Sequence, residues 1–146
     1  MPSPGKPSVV RGILLAAALP IFLFGAVQLG CGSQEEMRSG SGVPASQGTV
    51  EATAADNGNT NLSIRVSHLA PPQRMASGAT VYVVWVRPRD SVQQNVGALT
   101  LNDKLEGRLE TVTPHSRFLV SITPESDGMV AGPTNVPVFT ADVDRS

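Results

Sequence analysis

The chain has 146 residues, which is enough for one domain of ordinary size, and only 16 % of them are charged. Its 11 Lys and Arg residues and 12 Asp and Glu residues give a formal net charge of −1, which excludes the basic surface that nucleic-acid binding usually requires. A single cysteine excludes an intramolecular disulfide framework.

The N-terminal segment, residues 1–30, is predicted to be a signal peptide or a membrane anchor. Lys6 and Arg11 precede an uncharged run of 17 residues, 13–29, which as a helix would be about 26 Å long, against ~30 Å for a bilayer's hydrocarbon core. A positive start followed by a short apolar run and small residues is typical of an export signal. The alternatives are an uncleaved single-pass anchor and a buried core helix, and the lack of any polar face disfavours the core helix.

The only cysteine, Cys31, lies where the apolar run gives way to polar residues. The residues before it resemble the cleavage box of bacterial lipoproteins, in which a Cys after a small residue, here Gly30, receives a lipid and becomes the new N-terminus. The family favours Leu three positions before the Cys, where this chain has Gln28. Acyl chains would bind the membrane at ~0.8 kcal/mol per buried methylene. We therefore predict lipidation of Cys31, with a buried thiol in a membrane helix as the alternative.

Residues 31–60 are predicted to be a disordered linker rich in Gly, Ser and Ala. Within 32–60, Gly, Ser, Ala, Thr and Pro account for 17 of 29 residues. Apart from alanine, only Met37, Val43 and Val50 provide apolar bulk, which is too little to offset the entropy of ordering the chain. As a coil, this segment would be a tether with an end-to-end distance of about 30 Å.

The rest of the chain, residues 61–146, is predicted to be an all-β domain, a small antiparallel β-sandwich of about six or seven strands. Leu62, Ile64 and Val66 alternate with polar residues, which indicates a half-buried strand. The run 80–86 is apolar on both faces, so it is predicted to be a central strand, and Pro88 ends it.

Further strands are predicted over 96–101, 117–123 and 136–143, with a weaker one over 109–113. Leu105 and Leu109 also fit a helical turn, which is why the 109–113 strand is weaker. Pro137 lies near the start of the last strand and favours an edge position for it. Trp85 and Phe118 are predicted to form the centre of the core.

An ordered series of short motifs runs through this zone: residues 81–86, 95–97, 118–125, 132–134 and 137–138. The series resembles the extracytoplasmic C-terminal domain of anti-sigma-K factors, a β-sandwich. In that family a Trp-bearing strand, a Gly-bearing hairpin, a Thr-x-Glu-like strand end and a Pro-Thr step occur in this order. Those factors bind their sigma factor with a cytoplasmic helical domain. Because only twelve proline-rich residues precede the apolar run, we expect no such domain here.

Candidate catalytic and metal-binding residues are few. His68 and His115 lack the spacing of a zinc site and are predicted to be solvated turn residues. No Gly-x-Ser-x-Gly elbow occurs. Paired carboxylates could come from Glu106, Glu110, Glu125 and Asp127. Glu106 and Glu110 lie beside leucines and are predicted to be on the solvent side of a hairpin or turn. Catalytic acids with a perturbed pKa need burial, and a small core leaves little room for it.

Two further patterns have a functional and a plain interpretation. Arg87 and Arg89 flank Pro88 and could contact an anion, although arginines at a strand end are more often simply solvated. The oxygen-rich stretch 56–61 lacks the residue order of a calcium loop and is interpreted as the polar end of the linker. We therefore predict no metal, no cofactor and no enzymatic activity.

The combined hypothesis is an exported, membrane-anchored extracytoplasmic lipoprotein of the bacterial cell membrane or outer membrane. Its β-sandwich would face the periplasm or the exterior and would have a binding, sensing or structural role with an envelope protein as partner. The alternative hypothesis is a single-pass membrane subunit of an anti-sigma-type signalling system that lacks its own sigma-binding domain.

Overall fold

Nine strands and one short helix make up the fold of the residues that the structure describes. The structure, a computed structural model, describes residues 2–5, 12 and 32–146. The strands are β1 (Ser33–Glu36), β2 (Arg38–Ser39), β3 (Gln47–Ala54), β4 (Thr60–Ser67), β5 (Val81–Pro88), β6 (Gln94–Leu99), β7 (Gly107–Thr113), β8 (Arg117–Glu125) and β9 (Phe139–Asp144), and the helix is α1 (Pro72–Met75). One antiparallel sheet has the order β1-β3-β4-β7 and the other has the order β2-β9-β8-β5-β6.

The core lies between the two sheets and is built from the period-two alternation of the strands. Leu62, Ile64 and Val66 of β4 face inward, as predicted from the sequence. From the second sheet, Val120 and Ile122 of β8 face them and are fully buried. The prediction of an all-β domain with two antiparallel sheets is therefore confirmed.

The segment predicted to be a disordered linker is folded from Ser33 to Ala54, which corrects that prediction. β3 pairs with β4 along its whole length, and Val50 and Ala52 are buried against the core. Gly48, Val50 and Ala52 alternate with polar residues, so β3 has one apolar face of small side chains. This segment folds despite its composition because β4 and the second sheet supply the apolar surface that it lacks.

The first two strands are a single extended segment that changes sheets. β1 pairs with β3 in one sheet, and β2 pairs with β9 in the other. Met37 lies at the corner between them, where it is buried and its backbone N–H donates to the carbonyl of Gly48 at 2.8 Å. This N-terminal segment therefore closes one side of the sandwich.

The number of strands and the position of the last strand also differ from the predictions. Residues 32–146 contain nine strands instead of the predicted six or seven, because β1, β2 and β3 come from the predicted linker. β9 lies between β2 and β8 and is not an edge strand. Pro137 precedes β9, so it removes no hydrogen bond from the ladder of β9.

β5 is buried on both faces, which confirms its prediction as an internal strand. Tyr82, Val84 and Val86 face the inter-sheet core. Trp85 is fully buried, but it lies on the opposite, outer face of the sheet, so it is not at the centre of the inter-sheet core. Phe118, the other predicted centre, is in that core with 5 % of its surface exposed.

The predictions for residues 1–30 and for Cys31 lie outside the described residues, except for residues 2–5 and 12. In the described part of the chain, no helix is both long enough and apolar enough to cross a membrane.

Candidate functional site

The most unusual polar feature of the domain is a fully buried carboxylate, Glu125, at the end of β8. Residues 126–138 connect β8 to β9 and are called the covering loop here. Trp85 and Thr123 point to the same outer face of the sheet as Glu125, and all three side chains are shielded from solvent. This outer face therefore contains a second, smaller buried region beneath the covering loop.

Four residues form a hydrogen-bonded chain that we call the Glu125 network. The indole Nε1–H of Trp85 donates to Thr123 Oγ1 at 2.8 Å, and that hydroxyl donates to Glu125 Oε1 at 2.6 Å. The backbone N–H of Thr134 donates to Glu125 Oε1 at 3.0 Å, and the Thr134 hydroxyl donates to Glu125 Oε2. Both carboxylate oxygens are therefore occupied by donors, and two of these three donors belong to Thr134 of the covering loop.

The pKa of Glu125 reflects two opposing effects. Burial raises the pKa, because it disfavours the charged form. The hydrogen bonds from Thr123 and from Thr134 and Asn135 of the covering loop favour the charged form, and their sum holds the pKa below its usual value. Glu125 is therefore an ionised acceptor that fastens the covering loop to β8.

The lowered pKa of Glu125 predicts a specific loss of stability in acid. Its contribution is complete above the unfolded glutamate pKa of about 4.3 and is lost as the pH falls through the lower folded value. We expect the melting temperature of Glu125→Gln to fall less than that of the unsubstituted protein between neutral pH and about pH 3. Thermal unfolding followed by the fluorescence of Trp85 would measure this difference.

The matched control for the acid experiment is Glu36→Gln, because Glu36 is exposed on β1 and is remote from the network. Its melting temperature should fall with pH in parallel with that of the unsubstituted protein. If the melting temperature of Glu125→Gln also fell with pH in parallel with that of the unsubstituted protein, ionised Glu125 would not be the source of the acid-sensitive stability.

Other polar contacts hold the covering loop against the sheet along its length. Asn95 Nδ2 of β6 donates to the carbonyls of Gly128 and Val130, at 2.9 and 3.1 Å. Asn135 Nδ2 donates to the carbonyl of Pro124 at 2.7 Å. The loop therefore has a fixed path, although Met129 and Val136 leave 88 % and 82 % of their surfaces exposed on it.

A surface cleft of about 940 Å³ lies at the other end of the same sheet. Three arginines and three aspartates line it: Arg87, Arg89, Arg117, Asp90, Asp142 and Asp144. Arg117 Nε pairs with Asp144 Oδ1 at 3.1 Å. Hydrogen bonds from the side chain and backbone of Ser146, with a further contribution from Arg117, lower the pKa of Asp144 to about 2. The cleft contains equal numbers of positive and negative side chains.

The structure does not bring the other candidate residues together. His68 follows β4 at one end of the sandwich, and His115 lies between β7 and β8 at the opposite end. Glu106 and Glu110 are both exposed, and Glu110 pairs with Arg108. In the described ranges, no three His, Cys, Asp or Glu side chains are grouped so that they could hold a metal ion.

Sequence reasoning missed the Glu125 network because its members are separated by up to 49 positions along the chain, from Trp85 to Thr134. One local signal was present, since Thr123 and Glu125 lie at alternate positions of β8 and so share the face of Trp85. Comparison of the sequence with known proteins finds no matching protein-family model and no matching curated protein.

Proposed function

We propose that this protein is a membrane-anchored extracytoplasmic lipoprotein whose β-sandwich has a non-enzymatic binding, sensing or structural role. The observation that carries the proposal is the position of the first strand. β1 begins at Ser33, two residues after Cys31 and four after the apolar run ends at Leu29. A folded domain that begins directly behind the cysteine would be displayed at the membrane surface by a lipid attached there.

The chemistry of the two buried titratable side chains in the described domain favours a non-enzymatic role. Burial raises the pKa of Tyr82 to about 12, and its hydroxyl donates to the carbonyl of Ala70 at 2.6 Å. Glu125 is ionised, and its oxygens accept hydrogen bonds from the fold itself. Neither side chain presents a poised acid or base to a ligand, since both are engaged in holding strands and loops together.

Replacing the cysteine tests the anchoring. Cys31→Ser removes the acyl acceptor, so we expect the protein to lose its lipid and to keep its signal segment. Intact mass measurement of protein extracted from membranes would show residues 1–30 absent and acyl chains present only when Cys31 is intact. A matched control is Ser33→Ala, which should be processed normally.

A cleaved, acylated chain would support the proposal. An uncleaved, unacylated chain for the unsubstituted protein would overturn lipidation and would favour the second candidate.

That second candidate is a single-pass subunit of an anti-sigma-type signalling system. The observation in its favour is that residues from separate motifs of the anti-sigma-K resemblance, Trp85, Thr123, Glu125 and Thr134, are joined in one hydrogen-bonded network. It predicts an uncleaved N-terminal segment and a cytoplasmic protein that copurifies with the full chain. Loss of that copurification when residues 1–12 are removed would support this candidate over the first.

A further inference from the structure

Strands of both sheets begin or end together at one end of the sandwich. β3 ends and β4 begins there, together with the end of β7, because Ala54 pairs with Thr60 and Thr60 pairs with Thr113. In the other sheet, β5 and β9 end and β8 begins at the same level. We call this region the anchor-side end, and it consists of residues 55–59, 87–93, 112–116 and 145–146.

Hydrogen bonds join the two sheets at the anchor-side end. Thr60 Oγ1 donates to the carbonyl of His115 at 2.7 Å and accepts from Arg145 Nε at 2.7 Å. The backbone N–H of Arg145 donates to the carbonyl of Ser116 at 2.9 Å. Residues 114–116 and 145–146 are therefore held against the start of β4, and Arg145 also reaches the carbonyl of Gly58 in the 55–59 loop.

The chain enters the domain at this same end. Ser33 of β1 pairs with Ala52, two residues before the end of β3. Only Gly32 separates Ser33 from Cys31, so the two Cα atoms are at most about 7 Å apart along the chain. The connection is short whether the chain is anchored by a lipid on Cys31 or by an uncleaved apolar segment, because in both cases the polypeptide would leave the bilayer near Cys31. In place of a tether of about 30 Å, the domain has almost no spacer.

The exposed side chains of the anchor-side end fit the headgroup layer of a membrane. Val92 is 77 % exposed, and Val112 on the other sheet is 53 % exposed. Arg87 and Arg89 lie beside Val92 in the cleft, and among the described residues no carboxylate oxygen lies within 4 Å of either guanidinium. Arginine can lay its aliphatic part along apolar surface while its guanidinium binds a phosphate.

We infer that the anchor-side end is a membrane-contact surface, in which the Val92 loop (residues 89–93) enters the lipid headgroup layer and Arg87 and Arg89 bind lipid phosphates. This inference rests on the proposed membrane anchoring. Because arginines and aspartates balance in the cleft, the surface suits a headgroup layer that carries both ammonium and phosphate groups. Attachment through so short a spacer, the single residue Gly32 after Cys31, gives a high effective concentration of lipid, so weak individual contacts are sufficient.

The test compares two exposed valines at opposite ends of the domain. Val136 is 82 % exposed and follows Asn135, which is bonded to Pro124 near the far end of β8. Eight residues of β8 separate that end from Arg117, a distance of about 26 Å at ~3.3 Å per residue. Val92→Cys and Val136→Cys, each labelled with a fluorophore, therefore make a matched pair in the full-length protein.

The labelled proteins would be purified from membranes and reconstituted into vesicles of phosphatidylethanolamine and phosphatidylglycerol that contain headgroup-nitroxide lipid as quencher. We expect the label at Val92 to lose most of its fluorescence and the label at Val136 to retain nearly all of it. Ser91→Cys serves as a second reporter in the same loop, and the unsubstituted protein gives the background from any free Cys31 thiol.

The remaining outcomes separate the two proposals. Equal quenching at Val92 and Val136, or quenching at neither site in protein that floats with the vesicles, would overturn the contact surface and leave the anchoring intact. Protein that does not float with the vesicles would refute the anchoring itself.

Discussion

Val50→Asp is expected to leave the domain largely unfolded. Val50 lies in β3, has no exposed surface and pairs opposite Ile64 in the core. An aspartate at this position would place an unpaired charge among apolar side chains, which destabilises a protein by more than about 4 kcal/mol. Domains of this size have a total stability on the order of 5–15 kcal/mol, so the loss removes a large part of it. Urea unfolding followed by the fluorescence of Trp85, the only tryptophan, would measure the effect.

Two comparisons make the Val50→Asp result specific. Val50→Ala removes only methyl groups and should lower the free energy of unfolding by about 2 kcal/mol. Val136→Asp introduces the same charge at an 82 % exposed position and should stay within about 0.5 kcal/mol of the unsubstituted protein. A wild-type urea midpoint for Val50→Asp would show that residues 47–54 are not part of the core and would restore the disordered linker.

Glu125→Ala is expected to lower the free energy of unfolding by about 3 kcal/mol, since it leaves several donors without an acceptor. The Thr134 backbone N–H and the hydroxyls of Thr123 and Thr134 all donate to this carboxylate. The loss should be greatest in the covering loop, which Glu125 fastens to β8. Chemical unfolding would give the magnitude, and amide hydrogen exchange of residues 126–138 would show the local release.

Glu125→Gln and Glu110→Ala separate the contributions to this effect. Glutamine keeps one oxygen acceptor and the side-chain volume, so its loss of stability should be smaller than that of alanine. Glu110 is exposed, and its replacement by alanine should change stability by less than about 0.5 kcal/mol. If Glu125→Ala and Glu110→Ala lowered the free energy of unfolding equally, Glu125 would not be the residue that fastens the covering loop to β8.

The two buried regions differ in how far the sequence could reveal them. The inter-sheet core was predictable from β4 and β8, because Leu62, Ile64, Val120 and Ile122 recur at alternate positions next to polar residues. The region beneath the covering loop was not predictable, because its central members are Thr123 and Glu125, whose residue types are usually exposed. Hydrogen bonds to the carboxylate of Glu125 offset the free-energy cost of burying Thr123 and Glu125.

The sequence likewise revealed only part of the proposed membrane-contact surface. The sequence singled out Arg87 and Arg89 as a pair with a functional and a plain interpretation. It did not show that these arginines lie at the end of the domain where the chain enters, because that depends on the pairing of β1 with β3 and of β5 with β8. Strand register, which the sequence determines only through distant partners, assigns each loop to an end of the sandwich.

The sequence by itself determined the all-β class, the run 80–86 as an internal strand and the inward faces of β4 and β8, because period-two hydrophobic patterns are local properties. Only the tertiary structure decided that residues 33–54 belong to the domain, that Trp85 faces outward and that Glu125 is buried. In each of these cases the deciding surface or hydrogen-bond donor comes from a distant part of the chain. Gly48, Val50 and Ala52 are buried because β4 and the second sheet cover them, and Glu125 is buried because Thr134 returns to it from the covering loop.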